Sequence, residues 1–368
     1  MKRVRFVMVG GFLGAGKTTT IARIARHYMD SGLKVGLVTN DQAFDLVDTL
    51  SLRAQGFDVG EVPGACFCCK FDDLVDTVAE LTQEQAPDVV ITEPVGSCTD
   101  LVATVIEPLS HLHGEQYEIA PLVVLLKPEH GLKILREEQG GGFSPKAAYI
   151  FLKQLEEADT IVINKVDKIP AEQQDELKQL IQSRFPGRSV VLHSAKTGEG
   201  FDDLVAQLSA NREARSAFME VDYDVYAEGE AELGWLNATF ELSANKETVP
   251  LDSISVSVVE RCRRDLKSQG LEPAHLKVLT EASGHMSLAN LVGSDVEVEQ
   301  SFVADKSASE VKLTVNARVA GSPEELSQIV DQTVAAVASE LEMTSKPLAH
   351  QSFRPGRPTP THRMGASG

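Results

Sequence analysis

The chain has 368 residues, of which 42% are hydrophobic and 24% charged, enough for two domains that each bury a core. Its formal net charge of −19 argues against nucleic acid or an anionic membrane surface as the main partner, because phosphate binding relies on clustered Lys and Arg. No apolar run approaches the roughly 20 residues of a membrane span, and glycines interrupt the apolar run near the N-terminus, which argues against a signal peptide. We therefore expect a cytoplasmic protein whose five cysteines stay reduced.

Roughly the first 210 residues alternate short apolar strands with helical patterns, which is typical of a parallel α/β sheet. Strands are predicted at residues 5–9, 34–39, 58–62, 88–92, 122–126, 160–163 and 190–192. Helices are predicted at residues 18–29, 72–83, 147–157, 171–183 and 200–209. The predicted fold is a doubly wound, mostly parallel sheet.

A glycine-rich loop joins the first strand to the first helix, with Gly11, Gly16, Lys17 and Thr18 at the P-loop spacing G-x-x-x-x-G-K-T. Glycines let backbone N–H groups wrap phosphate oxygens, and the helix that follows points its N-terminus at them. Lys17 is expected to reach the β- and γ-phosphates, and the Thr18 hydroxyl to ligate Mg²⁺. The alternative is a glycine turn that holds no ligand.

The next two strands end in residues that can ligate metals. Asp41 follows the second strand and is expected to contact Mg²⁺ or a second metal. Cys66, Cys68 and Cys69 follow the third strand, and three thiolates within four residues can hold one soft or borderline cation. A closed tetrahedral site needs a fourth ligand, which Cys98, Asp41, a histidine, water or a partner protein can supply. A buried cysteine patch, a redox switch and a purely structural zinc site are the alternatives to a site for a transferred metal.

A carboxylate and a glycine follow the fourth strand. Glu93 lies where an acidic residue can hold the Mg²⁺ shell or orient the attacking water. Gly96 is expected to give its N–H group to the γ-phosphate. With Lys17 these two are the predicted catalytic residues, and a plain loop acid is the alternative for Glu93.

The tetrapeptide Asn164-Lys165-Val166-Asp167 follows the strand at 160–163 and indicates guanine. The Asp167 carboxylate can accept from both N1–H and the exocyclic amine of guanine, a donor pair that adenine lacks. Lys165 is expected to lie along the base, and Asn164 to tie the loop back to the P-loop. Ser194-Ala195-Lys196 follows the next strand, where GTPases place a backbone N–H group on the guanine carbonyl. Together with the P-loop these elements predict GTP rather than ATP.

The character of the chain changes after residue 211. An acidic stretch is predicted to be a linker or an exposed helix, and a small α+β domain follows, with strands at 235–242, 275–282, 296–303 and 310–319 and helices at 254–266 and 323–341. Ser322 and Glu325 have the spacing of a capping box at the start of the last helix. The tail from Thr344 contains prolines and arginines but no acidic residue and is predicted to be disordered. The predicted organisation is 1–211, a linker at 212–233, 234–343, and a tail at 344–368.

Four stretches together resemble the CobW-type metallochaperone GTPases, which belong with the urease and hydrogenase nickel-insertion GTPases. They are residues 10–20, Cys66-Phe67-Cys68-Cys69, Glu93-Pro94-Val95-Gly96 and Asn164-Lys165-Val166-Asp167. The resemblance covers residues 1 to about 210. It implies a GTPase that binds zinc, cobalt or nickel through its cysteine loop and delivers the metal to a client, with GTP binding and hydrolysis as the switch.

The resemblance also assigns roles by position. Thr18 and Glu93 serve Mg²⁺ and hydrolysis, the three cysteines hold the delivered metal, and Asn164 and Asp167 bind guanine. The residues implied to bind phosphate are Gly14, Ala15, Gly16, Lys17, Thr18 and Thr19.

This chain departs from the family pattern in two regions expected to switch. Residues 40–43 are Asn-Asp-Gln-Ala where the family usually has Asn-Glu-Phe-Gly, and Pro94 replaces the usual hydroxyl residue. The expected client is a metalloprotein or a corrinoid-pathway protein, and the second domain is expected to contact the client or a second copy in a homodimer. A regulatory GTPase with a structural or redox cysteine loop is one alternative. An ATP-dependent kinase or transferase is another, which Asn164 and Asp167 disfavour.

Overall fold

The computed structural model describes residues 3–41, 47–137, 144–215 and 218–365. The chain forms two compact units, and neither is one continuous piece of sequence. The first comprises Met1–Gln42, Gln55–Gly229 and Arg357–Gly368, and the second comprises Ala43–Ala54 and Glu230–Gly356. Across the described ranges, every helix is too short or too polar to cross a bilayer.

The first unit is built on a parallel sheet. Its strands are β1 (Val4–Gly11), β2 (Val35–Asp41), β3 (Val59–Pro63), β4 (Val89–Glu93), β5 (Tyr117–Ile119), β6 (Val123–Leu126), β7 (Thr160–Ile163) and β8 (Ser189–Leu192). They lie in the order β3-β2-β4-β1-β6-β7-β8, with β5 also pairing with β1. This sheet confirms the predicted fold and all seven predicted strands, and it brings the ends of β1, β2, β3, β4 and β7 to the same edge.

Helices lie between and after these strands in the chain. They are α1 (Lys17–Asp30), α2 (Val47–Ala54), α3 (Phe71–Gln85), α4 (Glu107–His113), α5 (Pro128–Leu135), α6 (Pro145–Glu157), α7 (Ala171–Arg184), α8 (Phe201–Ser209) and α9 (Tyr223–Ala231). A π-helical turn at Val102–Ile106 leads into α4, and a 3-10 turn at Val166–Lys168 follows β7. The five predicted helices are present. The π-helical turn was missed because it is buried on all sides and so lacks an amphipathic period.

The second unit is a six-stranded antiparallel sheet with two long helices. Its elements are β9 (Leu233–Ala244), β10 (Val249–Pro250), α10 (Leu251–Ser268), β11 (Glu272–Ala282), β12 (His285–Leu291), β13 (Glu299–Phe302), β14 (Ser307–Ala308), β15 (Glu310–Ala320), α11 (Pro323–Glu340) and β16 (Met343–Phe353). The sheet order is β13-β12-β11-β15-β9-β16, and β10 pairs with β14. Apolar residues of α10 and α11, such as Val258 and Val330, share one core with sheet residues such as Val278 and Val315. This is the predicted α+β domain, and the capping box at Ser322 is confirmed.

One prediction about the second half needs correction. Residues from Thr344 are not a disordered tail, because β16 pairs with β9 along Met343–Phe353. β16 is an edge strand, which tolerates exposed polar residues and a proline, and the ladder shifts register between Pro347 and Ala349. A proline-rich polar sequence therefore concealed a strand.

The stretch at 212–233, predicted to be a linker or an exposed helix, contains a helix, and its start is held to the first unit. The guanidinium of Arg212 is buried and contacts Glu107 at 2.8 Å and Asp159 at 3.0 Å. Helix α9 follows, and the two units divide between Gly229 and Glu230.

Helix α2 directly follows the expected switch region after β2, yet it is part of the second unit. The Val47 N–H group donates to the Asn316 side-chain oxygen at 2.8 Å, and Lys277 pairs with Asp48. Val47 also packs with Leu279 in a small apolar cluster. The chain that leaves β2 therefore enters the second unit before it returns to β3.

Candidate functional site

The glycines of the P-loop meet two different requirements. Gly14 and Gly16 have left-handed backbones, with φ of 74° and 90°. A Cβ at Gly16 would lie 2.5 Å from the Asn164 amide nitrogen, and a Cβ at Gly11 would lie 2.3 Å from the Leu125 carbonyl oxygen. Gly11 thus allows β1 to approach β6, whereas Gly14 and Gly16 shape the loop predicted to bind phosphate.

Four predicted residues meet beside the P-loop. The Thr18 hydroxyl donates to the Glu93 carboxylate at 3.1 Å, and the Lys17 ammonium lies 3.9 Å from the same oxygen. Lys17 and Glu93 are 7% and 8% exposed. A Cβ on Gly96 would lie 2.7 Å from Leu13 Cδ2 and 3.1 Å from the Lys17 ammonium, so the missing side chain lets this loop pack closely against the P-loop. An ammonium, a hydroxyl and a carboxylate therefore converge at the end of β4, while Thr19 is exposed one residue further along α1.

The elements predicted to bind guanine are joined by hydrogen bonds. The Asn164 amide donates to the Ala15 carbonyl at 2.7 Å and accepts from the Ala195 N–H group at 3.0 Å. The expected tie from Asn164 to the P-loop is therefore present. The Ser194 hydroxyl donates to the Asp167 carboxylate at 2.6 Å, which orients a side chain on an exposed residue. One asparagine thus sets the spacing of three loops.

Two basic residues complete this part of the site. Lys165 has a left-handed backbone, with φ of 61°. Arg23 of α1 donates to the carbonyls of Ala195 and Lys196 at 3.1 and 3.2 Å. Sequence reasoning missed Arg23, because an arginine within a predicted helix is usually a surface residue.

The three cysteines of the loop after β3 form a compact group. Their sulfur atoms are 3.0 Å (Cys66–Cys68), 3.3 Å (Cys66–Cys69) and 3.7 Å (Cys68–Cys69) apart. Cys66 and Cys68 are buried and Cys69 is half-buried. Within the described residues, these three are the only group of His, Cys, Asp or Glu side chains close enough together to hold one metal ion. The predicted ligands are therefore already gathered.

Mutual hydrogen bonds shift the pKa values of the thiols in this group apart. Hydrogen bonds from Cys68, Cys69 and Cys98 lower the pKa of Cys66 well below its usual value. The same interaction with Cys66 raises the pKa of Cys68, and raises that of Cys69 to about 11. The first thiolate forms at Cys66, and a divalent cation would displace the remaining thiol protons.

Asn40 holds the cysteine loop in place, a role that sequence reasoning missed. Its amide donates to the carbonyls of Val62 and Ala65, both at 2.7 Å, and accepts from the Phe67 N–H group at 2.9 Å. Asp41 follows it and ends β2, but its side chain lies outside the described part of the chain. The sequence signal for this role was that Asn40 is polar and precedes Asp41, an expected ligand, at the end of a strand.

Helix α6 supports the loop that carries Gly96. The Gln154 amide donates to the carbonyls of Gly96 at 3.0 Å and Cys98 at 2.8 Å. One turn later, the Glu157 carboxylate accepts from the Thr99 hydroxyl at 3.2 Å. Gly96 and Cys98 are thereby held by a single side chain.

Glu157 predicts a pH-dependent stability. Burial, with a smaller contribution from Asp100, raises the pKa of Glu157 from 4.5 to about 8. Folding then favours the protonated acid, so the stability it contributes is complete below pH 4.5 and is lost as the pH rises to about 8. Glu157→Gln stays neutral, and we expect its free energy of unfolding, relative to wild type, to rise by a few kcal/mol from pH 5 to pH 8.5. Urea denaturation at several pH values measures this difference. Exposed Glu172→Gln is the control, and a pH-independent difference for Glu157→Gln would contradict the prediction.

Known proteins resemble this chain in sequence and in fold. Residues 5–191 match the family model described as CobW/HypB/UreG, nucleotide-binding domain. The chain is 28% identical over 224 residues to the zinc chaperone CobW of Sinorhizobium sp, covering 54% of this chain and 60% of the relative. It is 29% identical over 192 residues to the zinc chaperone YeiR of Escherichia coli K12, covering 50% and 53%. The chain thus spans little more than half the length of these relatives. The solved structure of HypB from Helicobacter pylori in complex with nickel is similar at 18% identity and a TM-score of 0.41, covering 58% of this chain and 93% of that one.

Proposed function

The chain belongs to the CobW/HypB/UreG family, and from that premise we propose that it is a GTPase that carries a transition metal. It hydrolyses GTP at the P-loop and binds the metal through Cys66, Cys68 and Cys69. The observation that carries the proposal is the gathering of three sulfur atoms within 3.7 Å of one another in the unit that holds the P-loop.

Hydrolysis requires charge stabilisation on the transferred phosphoryl group and an oriented water. Lys17 supplies the positive charge, and the close approach of Gly96 allows its N–H group to contribute. Thr18 and Glu93 present adjacent oxygens of the type that Mg²⁺ prefers, and these two residues would hold the ion. When bound, Mg²⁺ neutralises phosphate charge. Glu93 is the group that orients the attacking water.

Base selection belongs to the loops after β7 and β8. Asp167 accepts the two adjacent donors of guanine, and the hydroxyl of Ser194 fixes the carboxylate. Asn164 couples this loop to the phosphate loop, so base and phosphates are positioned together. GTP is therefore the proposed substrate.

The metal is the cargo, and zinc is the ion we favour, with cobalt and nickel as alternatives. Thiolates suit a soft or borderline cation. We propose Cys98 as the fourth ligand when the metal binds, because its thiol is buried and lowers the pKa of Cys66, although its sulfur lies outside the close group of three. Since Gln154 holds both Cys98 and Gly96, a movement of Gly96 on contact with the γ-phosphate would be transmitted to the fourth sulfur.

Metal titration in different nucleotide states tests this function. Zn²⁺, Co²⁺ and Ni²⁺ are titrated into the apo protein with a GTP analogue, with GDP and without nucleotide. We expect Cys66→Ser/Cys68→Ser/Cys69→Ser to weaken metal binding at least ~100-fold, since it removes all three gathered ligands. Cys98→Ser should keep weaker binding but lose most of its nucleotide dependence, and buried Cys262→Ser in the second unit is the matched control.

Thermodynamic linkage makes this titration decisive, because nucleotide must change the metal affinity by the same factor as metal changes the nucleotide affinity. Metal affinity that ignores the nucleotide would contradict delivery and favour a structural or redox-active cysteine loop. We further propose that the protein works in the cytoplasm, that its client is a metalloprotein or a corrinoid-pathway protein, and that the second unit contacts the client or a second copy.

A further inference from the structure

The C-terminal segment after β16 lies on the cysteine loop. The Thr359 N–H group donates to the Cys69 sulfur at 3.2 Å. The Thr361 N–H group donates to the Cys68 carbonyl at 2.8 Å, and the Thr361 hydroxyl donates to the Cys69 carbonyl at 3.2 Å. Two threonines thus bind the backbone and one sulfur of the expected metal site.

An ion pair anchors this segment beyond the cysteines. The Arg363 guanidinium donates to the Asp100 carboxylate at 2.7 Å, and the Tyr223 hydroxyl donates to the same oxygen at 2.7 Å. Asp100 is 1% exposed, and a buried carboxylate is costly unless it is paired. The Met364 N–H group donates to the Ala103 carbonyl at 2.8 Å, which continues the contact. The segment is therefore attached at both the loop and the helix that follows Asp100.

Apolar contacts and proline content also favour this position. The His362 ring meets the Phe71 ring edge-on, with centroids 5.0 Å apart. Phe71 begins α3, directly after the cysteine loop. Pro358 is buried, and Pro358 and Pro360 alternate with the two donor threonines. Prolines restrict the free segment to extended conformations, which lowers the entropy lost when it binds.

We propose that residues 357–364 form a built-in cover over the cysteine site and set the rate at which a bound metal leaves it. This inference rests on the metal-binding function proposed above. Cys69 is the most exposed of the three thiols, so it is the sulfur that a competing ligand reaches first. In the cover, a backbone N–H group donates a hydrogen bond to that sulfur, and metal transfer requires the cover to leave the loop.

The Arg363→Gln variant tests the cover in the full-length chain. The readout in the apo protein is the rate at which N-ethylmaleimide alkylates Cys69, followed by peptide mass spectrometry. We expect alkylation about 5- to 10-fold faster than in wild type, because a charge-assisted anchor is lost. A chain ending at Gly356 should react faster still. Labelling of buried Cys98 and Cys262 reports general unfolding, and Arg354→Gln in the same tail, whose partner is the Ala231 carbonyl of the second unit, is the matched control.

A second experiment measures the rate at which a chromophoric chelator removes Zn²⁺ from the metal-loaded protein. Arg363→Gln and the shortened chain should release Zn²⁺ faster by a similar factor, whereas Arg354→Gln should match wild type. Equal Cys69 alkylation in all variants would overturn the cover, and faster alkylation with unchanged Zn²⁺ release would overturn its control of the metal. If wild type binds no metal, the proposed function fails, while the alkylation rates still decide whether the segment covers the loop.

Discussion

Asp167→Asn is expected to change the base preference of the protein from guanine to xanthine. An asparagine keeps one acceptor for N1–H but turns a donor toward the exocyclic amine of guanine. Xanthine carries a carbonyl at that position, which accepts from the new donor. We expect kcat/KM for GTP to fall about 10³-fold and kcat/KM for XTP to rise. The loss for GTP should be smaller than the roughly 10⁴- to 10⁵-fold discrimination of fully buried sites, because Asp167 is exposed. Steady-state hydrolysis with both nucleotides measures the change.

Two further variants test whether the change in base preference comes from the Asp167 carboxylate. Asp175→Asn on the exposed face of α7 makes the same chemical change away from the site and should leave both nucleotides unaffected. Ser194→Ala removes the hydroxyl that orients Asp167 and should weaken GTP binding without favouring XTP. Equal losses for GTP and XTP in Asp167→Asn would mean that the base is recognised elsewhere.

Lys17→Ala is expected to abolish most GTP hydrolysis. Lys17 is buried at the start of α1, and its ammonium lies close to both Glu93 and Gly96. Its removal takes away the positive charge that faces the phosphates and leaves the Glu93 carboxylate close to them. We expect kcat/KM to fall about 10²- to 10³-fold, the usual cost of one group that stabilises transition-state charge. Single-turnover hydrolysis at saturating enzyme separates this effect from weaker binding.

The control for Lys17→Ala is Lys246→Ala, an exposed lysine of the second unit that should retain full activity. Lys17→Ala should also retain zinc binding in the absence of nucleotide, because the three cysteine ligands are untouched. Its zinc affinity should no longer respond to the GTP analogue. Hydrolysis within threefold of wild type would remove Lys17 from the catalytic group.

Local sequence determined the nucleotide unit. The P-loop and the tetrapeptide at 164–167 are dense patterns in which each residue type has a short-range reason, such as the positive φ of Gly14 and Gly16. The strands were predictable because buried parallel strands are short apolar runs with helical patterns between them. The order of elements along the chain therefore predicts that Lys17, Glu93 and Asn164 lie at the same edge of the sheet.

Only the tertiary structure decided what surrounds the cysteines. Thr359 and Cys69 are 290 residues apart, and no local periodicity encodes a hydrogen bond over that separation. The same holds for Arg363 and Asp100, and for the contact of Cys98 with Cys66. A proline-rich tail has the composition of a disordered segment, but hydrogen bonds to carbonyls and an ion pair to the buried Asp100 carboxylate hold it in place. Secondary structure follows from neighbours in sequence, whereas the setting of a site follows from partners that folding brings together.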